Sequence, residues 1–241
     1  MTALMLDKDF VGTRLLSLVR PDLEHHCALD FCASRLAHGN LPAIIMASNA
    51  LLAHEMLKRL AYREVAVLAR GDWDERVLQS SLLHRSTSAT PFQVFKLGKL
   101  ELTSPIAAWA EPLNQDSVQT VIEIKRHIAP GGSLYVMTTG RMARFQPSTK
   151  TNPHSTLGAA GLIRTSKLLR QAGMEITEVV GFHTPPSIAM GLASQAAARL
   201  NRPDVADRLM VRMREAFVAT GRMARYATVN VIVARHPGSS I

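Results

Sequence analysis

Residues 116–140 read DSVQTVIEIKRHIAPGGSLYVMTTG, and a change of period inside that stretch sets the architecture. Val118, Val121, Ile122 and Lys125 recur at helical spacing, whereas residues 133–137 form an apolar run of strand length. Pro130 cannot continue a helix, and Gly131 and Gly132 give the backbone the freedom of a tight reversal. The spacing predicts a helix, a stop and a strand.

The string EIKRHIAPGGSLYV resembles the helix, leucine-lysine-proline-glycine-glycine turn and fifth strand of class I S-adenosylmethionine (SAM) dependent methyltransferases, in particular the ubiquinone and menaquinone biosynthesis type. The resemblance implies a Rossmann-like α/β fold. Its sheet would be seven-stranded and mostly parallel, with the last strand, residues 226–234 (YATVNVIVA), inserted antiparallel. It implies one methyltransferase-like domain over residues 1–241, with an amino-terminal helical segment at 1–25 and a helical insert at 185–222 before the last strand.

Composition sets the outer bounds. A chain of 241 residues that is 47% hydrophobic and 20% charged can bury a sizeable core. No apolar run approaches the ~20 residues that span a bilayer, and the first ten residues, MTALMLDKDF, carry acids where a secretory leader is basic, so a soluble intracellular protein is expected. Cys27 and Cys32 are the only cysteines, too few for a disulfide framework and without the further ligands of a zinc site. The formal charge of +9 favours anionic partners such as RNA. The arginines are nevertheless spread along the chain, as on an ordinary solvated surface.

Working outward along the chain, residues 9–19 read as a helix ended by Pro21, in the position that lies over the SAM pocket in the resembled family. Residues 28–32 resemble the family's first strand, Leu29-Asp30 matching its leucine-aspartate pair. There the family has three glycines, which let the backbone pass close to SAM; here those positions fall on Cys32, Ser34 and Leu36. Residues 42–46 read as the second strand, whose terminal acid in the family accepts the ribose hydroxyls. Ala47, Ser48 and Asn49 stand in its place, and Asn49 serves equally well as the cap of the helix that follows.

Residues 64–68 read as strand three, leading to Asp72 and Trp73. The resemblance sets these two beside the adenine, although Asp72 can also cap the helix predicted over 74–83. Residues 92–95 read as a central fourth strand with Gln93 in place of the family's acid. Residues 141–153 read as a loop, 157–171 as a helix stopped by Gly173, 174–182 as a strand, and 187–200 and 203–217 as two helices, with Asn201 capping the second.

The resemblance therefore implies a SAM site at Asp30, Cys32, Ser34, Ser48, Asn49, Asp72 and Trp73 that lacks its glycines and its ribose acid. SAM is the one cofactor suggested, and its binding is expected to be weak or absent. No catalytic residue and no metal site is assigned. His127, His154 and His183 are scattered candidates for a base that read more simply as surface or capping residues. Two function classes follow: a non-catalytic methyltransferase-like subunit, or a divergent methyltransferase acting on a small lipophilic or aromatic acceptor. The partner expected for the first is a protein, such as an intact methyltransferase of the same fold, docking around Met190, Met210 and Met213. RNA is the competing partner, through Arg208, Arg212, Arg222 and Arg225.

Overall fold

The computed structural model describes residues 23–36, 43–46, 50–60, 64–69, 72–85, 91–99, 101–109, 118–141 and 160–238. The expected helix at 9–19, most of the loop at 141–153, and His154 lie outside them. The elements are α1 (Leu23–Leu36), β1 (Ala43–Met46), α2 (Ala50–Arg59), β2 (Val65–Ala69), α3 (Asp72–Arg85), β3 (Phe92–Lys96), β4 (Ser104–Trp109), α4 (Val118–Lys125), β5 (Ile128–Thr139), α5 (Ala160–Gln171), β6 (Glu175–Phe182), α6 (Pro185–Arg199), α7 (Pro203–Glu215), β7 (Val218–Thr220), α8 (Gly221–Ala224) and β8 (Val229–Arg235).

The strands form one sheet in the order β3-β2-β1-β4-β5-β8-β6-β7. β3 to β5 run parallel, and β8 is inserted antiparallel between β5 and β6, as the sequence predicts. The sheet has eight strands where seven were expected, because the three-residue β7 adds an edge beside β6. Helices cover both faces. Leu29 and Cys32 of α1, Met56 and Leu57 of α2, and Leu78 and Leu82 of α3 pack on Ile45, Val67, Tyr135 and Val231. Val121 and Ile124 of α4 and Leu168 and Leu169 of α5 pack on Ile44, Leu68, Val136 and Ile232. A strand covered on both faces must be apolar at every position, which is why AIIM and VAVLA are buried throughout.

Several expectations are corrected. Residues 28–32 are helix, not the first strand: Ala28, Leu29, Cys32, Ala33 and Leu36 are buried at i, i+1, i+4, i+5 and i+8, the spacing of a helix face. The strand count therefore shifts by one, so 43–46 is the first strand, 65–69 the second and 92–96 the third. Phe92–Lys96 is an edge strand, and the fourth strand of the sheet, Ser104–Trp109 beside β1 and β5, was not anticipated.

The Pro130-Gly131-Gly132 stop lies inside β5 instead of before it. Ser104 pairs with Ile128 and Ile106 with Ser133, so the extra residues loop out as an irregularity. Gly131 takes φ 80°, and a Cβ on Gly132 would stand 2.6 Å from the Pro105 carbonyl oxygen, so both glycines are required there. Gly173, at φ 73°, ends α5 as expected: Met174 N–H donates to the Leu169 carbonyl and Lys125 Nζ donates to the Ala172 and Gly173 carbonyls. Asn201 does not cap α7. It takes φ 52° in the connection, and Arg202 holds the cap position without a side-chain bond.

Candidate functional site at the carboxyl edge of the sheet

The chain leaves β1 for β2 and β3 on one side and returns through β4 on the other, so strand order reverses between β1 and β4. In an open α/β sheet, the crevice at the carboxyl ends beside such a reversal is where ligands bind. The strands end there at Met46 of β1, Ala69 of β2 and Trp109 of β4. Ser48 and Asn49 belong to the three-residue link between β1 and α2, outside the described residues. Asp72 and Trp73 open α3, three and four positions beyond the end of β2; only their backbone is described.

Asp30, Cys32 and Ser34 are placed elsewhere, on a helix packed against a face of the sheet. Asp30 is exposed and accepts from Arg59 Nε of α2 at 2.5 Å. The same guanidinium donates to the Glu55 carboxylate at 2.9 Å and lies 2.9 Å from His26 Nδ1, tying α1 to α2. Burial pulls the Glu55 carboxyl upward, but Arg59 and Lys58 outweigh it and the net shift is downward. Cys32 is fully buried and its thiol is pushed up to about 12 by desolvation, so it is an inert core residue. Ser34 Oγ donates to the Phe31 carbonyl at 2.8 Å, a local helical bond.

The histidines read as bases also have structural roles. His127 is buried in the turn from α4 to β5, its pKa lowered chiefly by desolvation. His183 stacks on Phe217 with ring centroids 5.4 Å apart. Among the described residues no group of three or more His, Cys, Asp or Glu could hold a metal ion.

Sequence reasoning missed a pair near the end of β5. Thr138 of β5 and Asn230 of β8 are direct cross-strand partners, both buried. Among the described residues, the Thr138 hydroxyl and both Asn230 amide atoms have no hydrogen-bond partner. A buried, unsatisfied polar group costs about 1–3 kcal/mol, so such a pair marks a place where a further polar group fits. Gly140 makes room for the amide, since a Cβ there would lie 2.5 Å from Asn230 Nδ2 and 2.0 Å from the Ala227 carbonyl oxygen. The available signal was Asn230 itself, a polar residue inside the apolar run VNVIVA.

The fold has known counterparts. A SAM-dependent methyltransferase from Aquifex aeolicus matches at TM-score 0.55 and 11% identity, over 93% of this chain and 98% of that one. The chain has the class I methyltransferase fold. A Thermotoga maritima protein described as a possible histamine N-methyltransferase matches at TM-score 0.50 and 12% identity, over 94% and 92% of the two chains. The YcgJ protein of Bacillus subtilis matches at 0.50 and 11%, over 90% and 100%. No family model matches the sequence, and no curated protein matches it significantly.

In the observed strand order, the link after β1, Ala47-Ser48-Asn49, contains no glycine. Asp72 is the first acidic residue after β2.

Proposed function

We propose that this chain is a non-catalytic, methyltransferase-like subunit, a scaffold whose SAM site is degraded. The observation that carries the reading is the link between Met46 and Ala50 at the reversal of strand order: Ala47, Ser48 and Asn49 each add a Cβ where the fold's ligand runs closest to the backbone. A hydrogen bond that the cofactor cannot make at such a place costs on the order of 1–3 kcal/mol, and two of them weaken binding by orders of magnitude. In this reading the chain works within a complex, and its partner is a protein, an intact methyltransferase of the same fold. The half-exposed apolar residues of the α6–α7 hairpin, Met210 and Val211 among them, support docking there. RNA competes for Arg208, Arg212, Arg222 and Arg225, all exposed.

The second reading, a divergent SAM-dependent methyltransferase acting on a small lipophilic or aromatic acceptor, is favoured by Asp72 after β2 and by the unpartnered Thr138 and Asn230. Calorimetric titration with SAM separates the two readings. No heat, or a dissociation constant far above the micromolar range, fits the scaffold. Low-micromolar binding that Asp72→Ala weakens about tenfold or more overturns it and establishes the second reading. Co-purification at low and moderate salt then sorts the partner: an RNA complex weakens steeply with salt, an apolar protein interface little.

A further inference from the structure

Among the described residues the sheet ends at β3, which pairs only with β2. Val65 N–H donates to the Pro91 carbonyl and Leu97 N–H donates to the Ala69 carbonyl. Strand backbone alternates its hydrogen-bonding direction with period two, so Pro91, Gln93, Phe95 and Leu97 face β2, and Phe92 and Val94 turn their N–H and C=O groups outward. An edge of this kind is ordinarily blunted by charges, by proline or by extreme shortness. The opposite edge, β7, is three residues long. β3 has five, and Phe92, Val94 and Phe95 are each only partly buried. These three residues, with Gln93 and with Gln79 of α3, line a groove of about 310 Å³.

We propose that this edge pairs antiparallel with the β3 of a second copy about a two-fold axis at Gln93, joining the two sheets into one. The edge is its own complement in that register. Phe92 and Val94 each sit opposite the other's counterpart, so their outward groups exchange two pairs of backbone hydrogen bonds. An aromatic and a β-branched residue then face one another on either side of the axis, a favourable cross-strand pair. Gln93, exposed in the single chain, meets its own copy at the axis, where two amides can bond to each other. Lys96, the one charged residue of the strand, falls away from its counterpart at the far ends. A ladder this short buries little area, so association is expected in the micromolar range. Two chains of formal charge +9 repel, so moderate salt strengthens the dimer, the reverse of its effect on RNA binding.

Disulfide trapping of the full chain tests both the contact and its register. Residues at a non-hydrogen-bonded antiparallel pair have Cα atoms about 4.5 Å apart, within disulfide reach. Under mild oxidation Gln93→Cys is expected to form a covalent dimer, whereas Phe95→Cys and the parent chain, with Cys27 and buried Cys32, remain uncrosslinked. In sedimentation velocity the parent shows concentration-dependent dimerisation, and Val94→Lys, which sets a charge on the edge, raises the dissociation constant about tenfold or more with an unchanged far-ultraviolet spectrum. A parent that sediments as a monomer at every concentration, or a dimer that survives Val94→Lys and is not trapped by Gln93→Cys, overturns the proposal.

Discussion

The strands on the two sides of β4 are built on different rules. β1 and β2, AIIM and VAVLA, are buried at every position and pair in parallel. β6 alternates exposed and partly buried residues along its first half, and β8 carries Asn230 in its core-facing series. A one-residue slip in β1 or β2 exchanges one apolar side chain for another, so little in those strands specifies register. A slip between β5 and β8 would move Asn230 and Thr138 to the other face and drive Gly140 away from Ala227. Position is encoded in the antiparallel half by polar residues and glycines, and in the parallel half by the connections and by side-chain volume.

Adding one methyl group to each half should expose that difference. Gly140→Ala places a Cβ 2.0 Å from the Ala227 carbonyl oxygen, backbone that cannot swing aside, and is expected to destabilise the chain by about 3 kcal/mol or more. Gly98→Ala follows β3 in the parallel half and meets nothing within 4 Å. Its cost is only the strain of φ 87°, about 1–2 kcal/mol. Denaturant midpoints of the two variants measure the contrast, and equal losses would show that the antiparallel half is no more tightly specified. A smaller effect is expected at Asp30→Ala in α1. The carboxylate is 63% exposed, so losing its bond to Arg59 should cost about 0.5 kcal/mol and leave any SAM affinity unchanged. A selective loss of SAM binding in that variant would return α1 to the cofactor site.

Much of the architecture was legible in the residues. The period change in 116–140, the stop at Gly173 and the antiparallel closing strand all rest on local signals that tertiary packing reinforced. What failed was the identity of α1. Leu29-Asp30 invited comparison with a strand-end pair, while the helical spacing of Ala28, Leu29, Cys32, Ala33 and Leu36 across the same residues carried the right answer. That one reading displaced the strand count and with it the whole candidate site. Asp30, Cys32 and Ser34 went to a face-packing helix, and Asp72 moved from the third strand's end to the second's. Ser104–Trp109 was unreadable for a different reason: Pro105 and the small Ala107 and Ala108 suppress its strand signal, and pairing with β1 and β5 on both sides supplies what propensity does not. The Thr138–Asn230 pair required the cross-strand register, which no local pattern contains.

The smallest expected effect lies at the junction of the two halves. His127 sits in the turn that delivers β5 to β4, its carbonyl accepting from Ser104 N–H at 2.8 Å and its side chain buried. Desolvation by burial lowers its pKa from 6.5 in spite of its bond to the Leu102 backbone. The folded chain therefore holds His127 neutral at a pH where the unfolded chain has begun to bind its proton. Stability from this residue is intact above the unfolded value of 6.5 and is lost as pH falls below it toward the lowered folded value. The Glu55 carboxyl is also lowered, from 4.5, so its contribution disappears only in a separate and more acidic window. Thermal unfolding of the parent from about pH 8 to about pH 5 should show a melting temperature that begins to fall near the histidine range. His127→Gln, which keeps a polar side chain but cannot take the proton, should melt lower at neutral pH and change less across that interval. Parallel curves for the two proteins would remove His127 as the titrating group and leave the junction between the halves indifferent to pH.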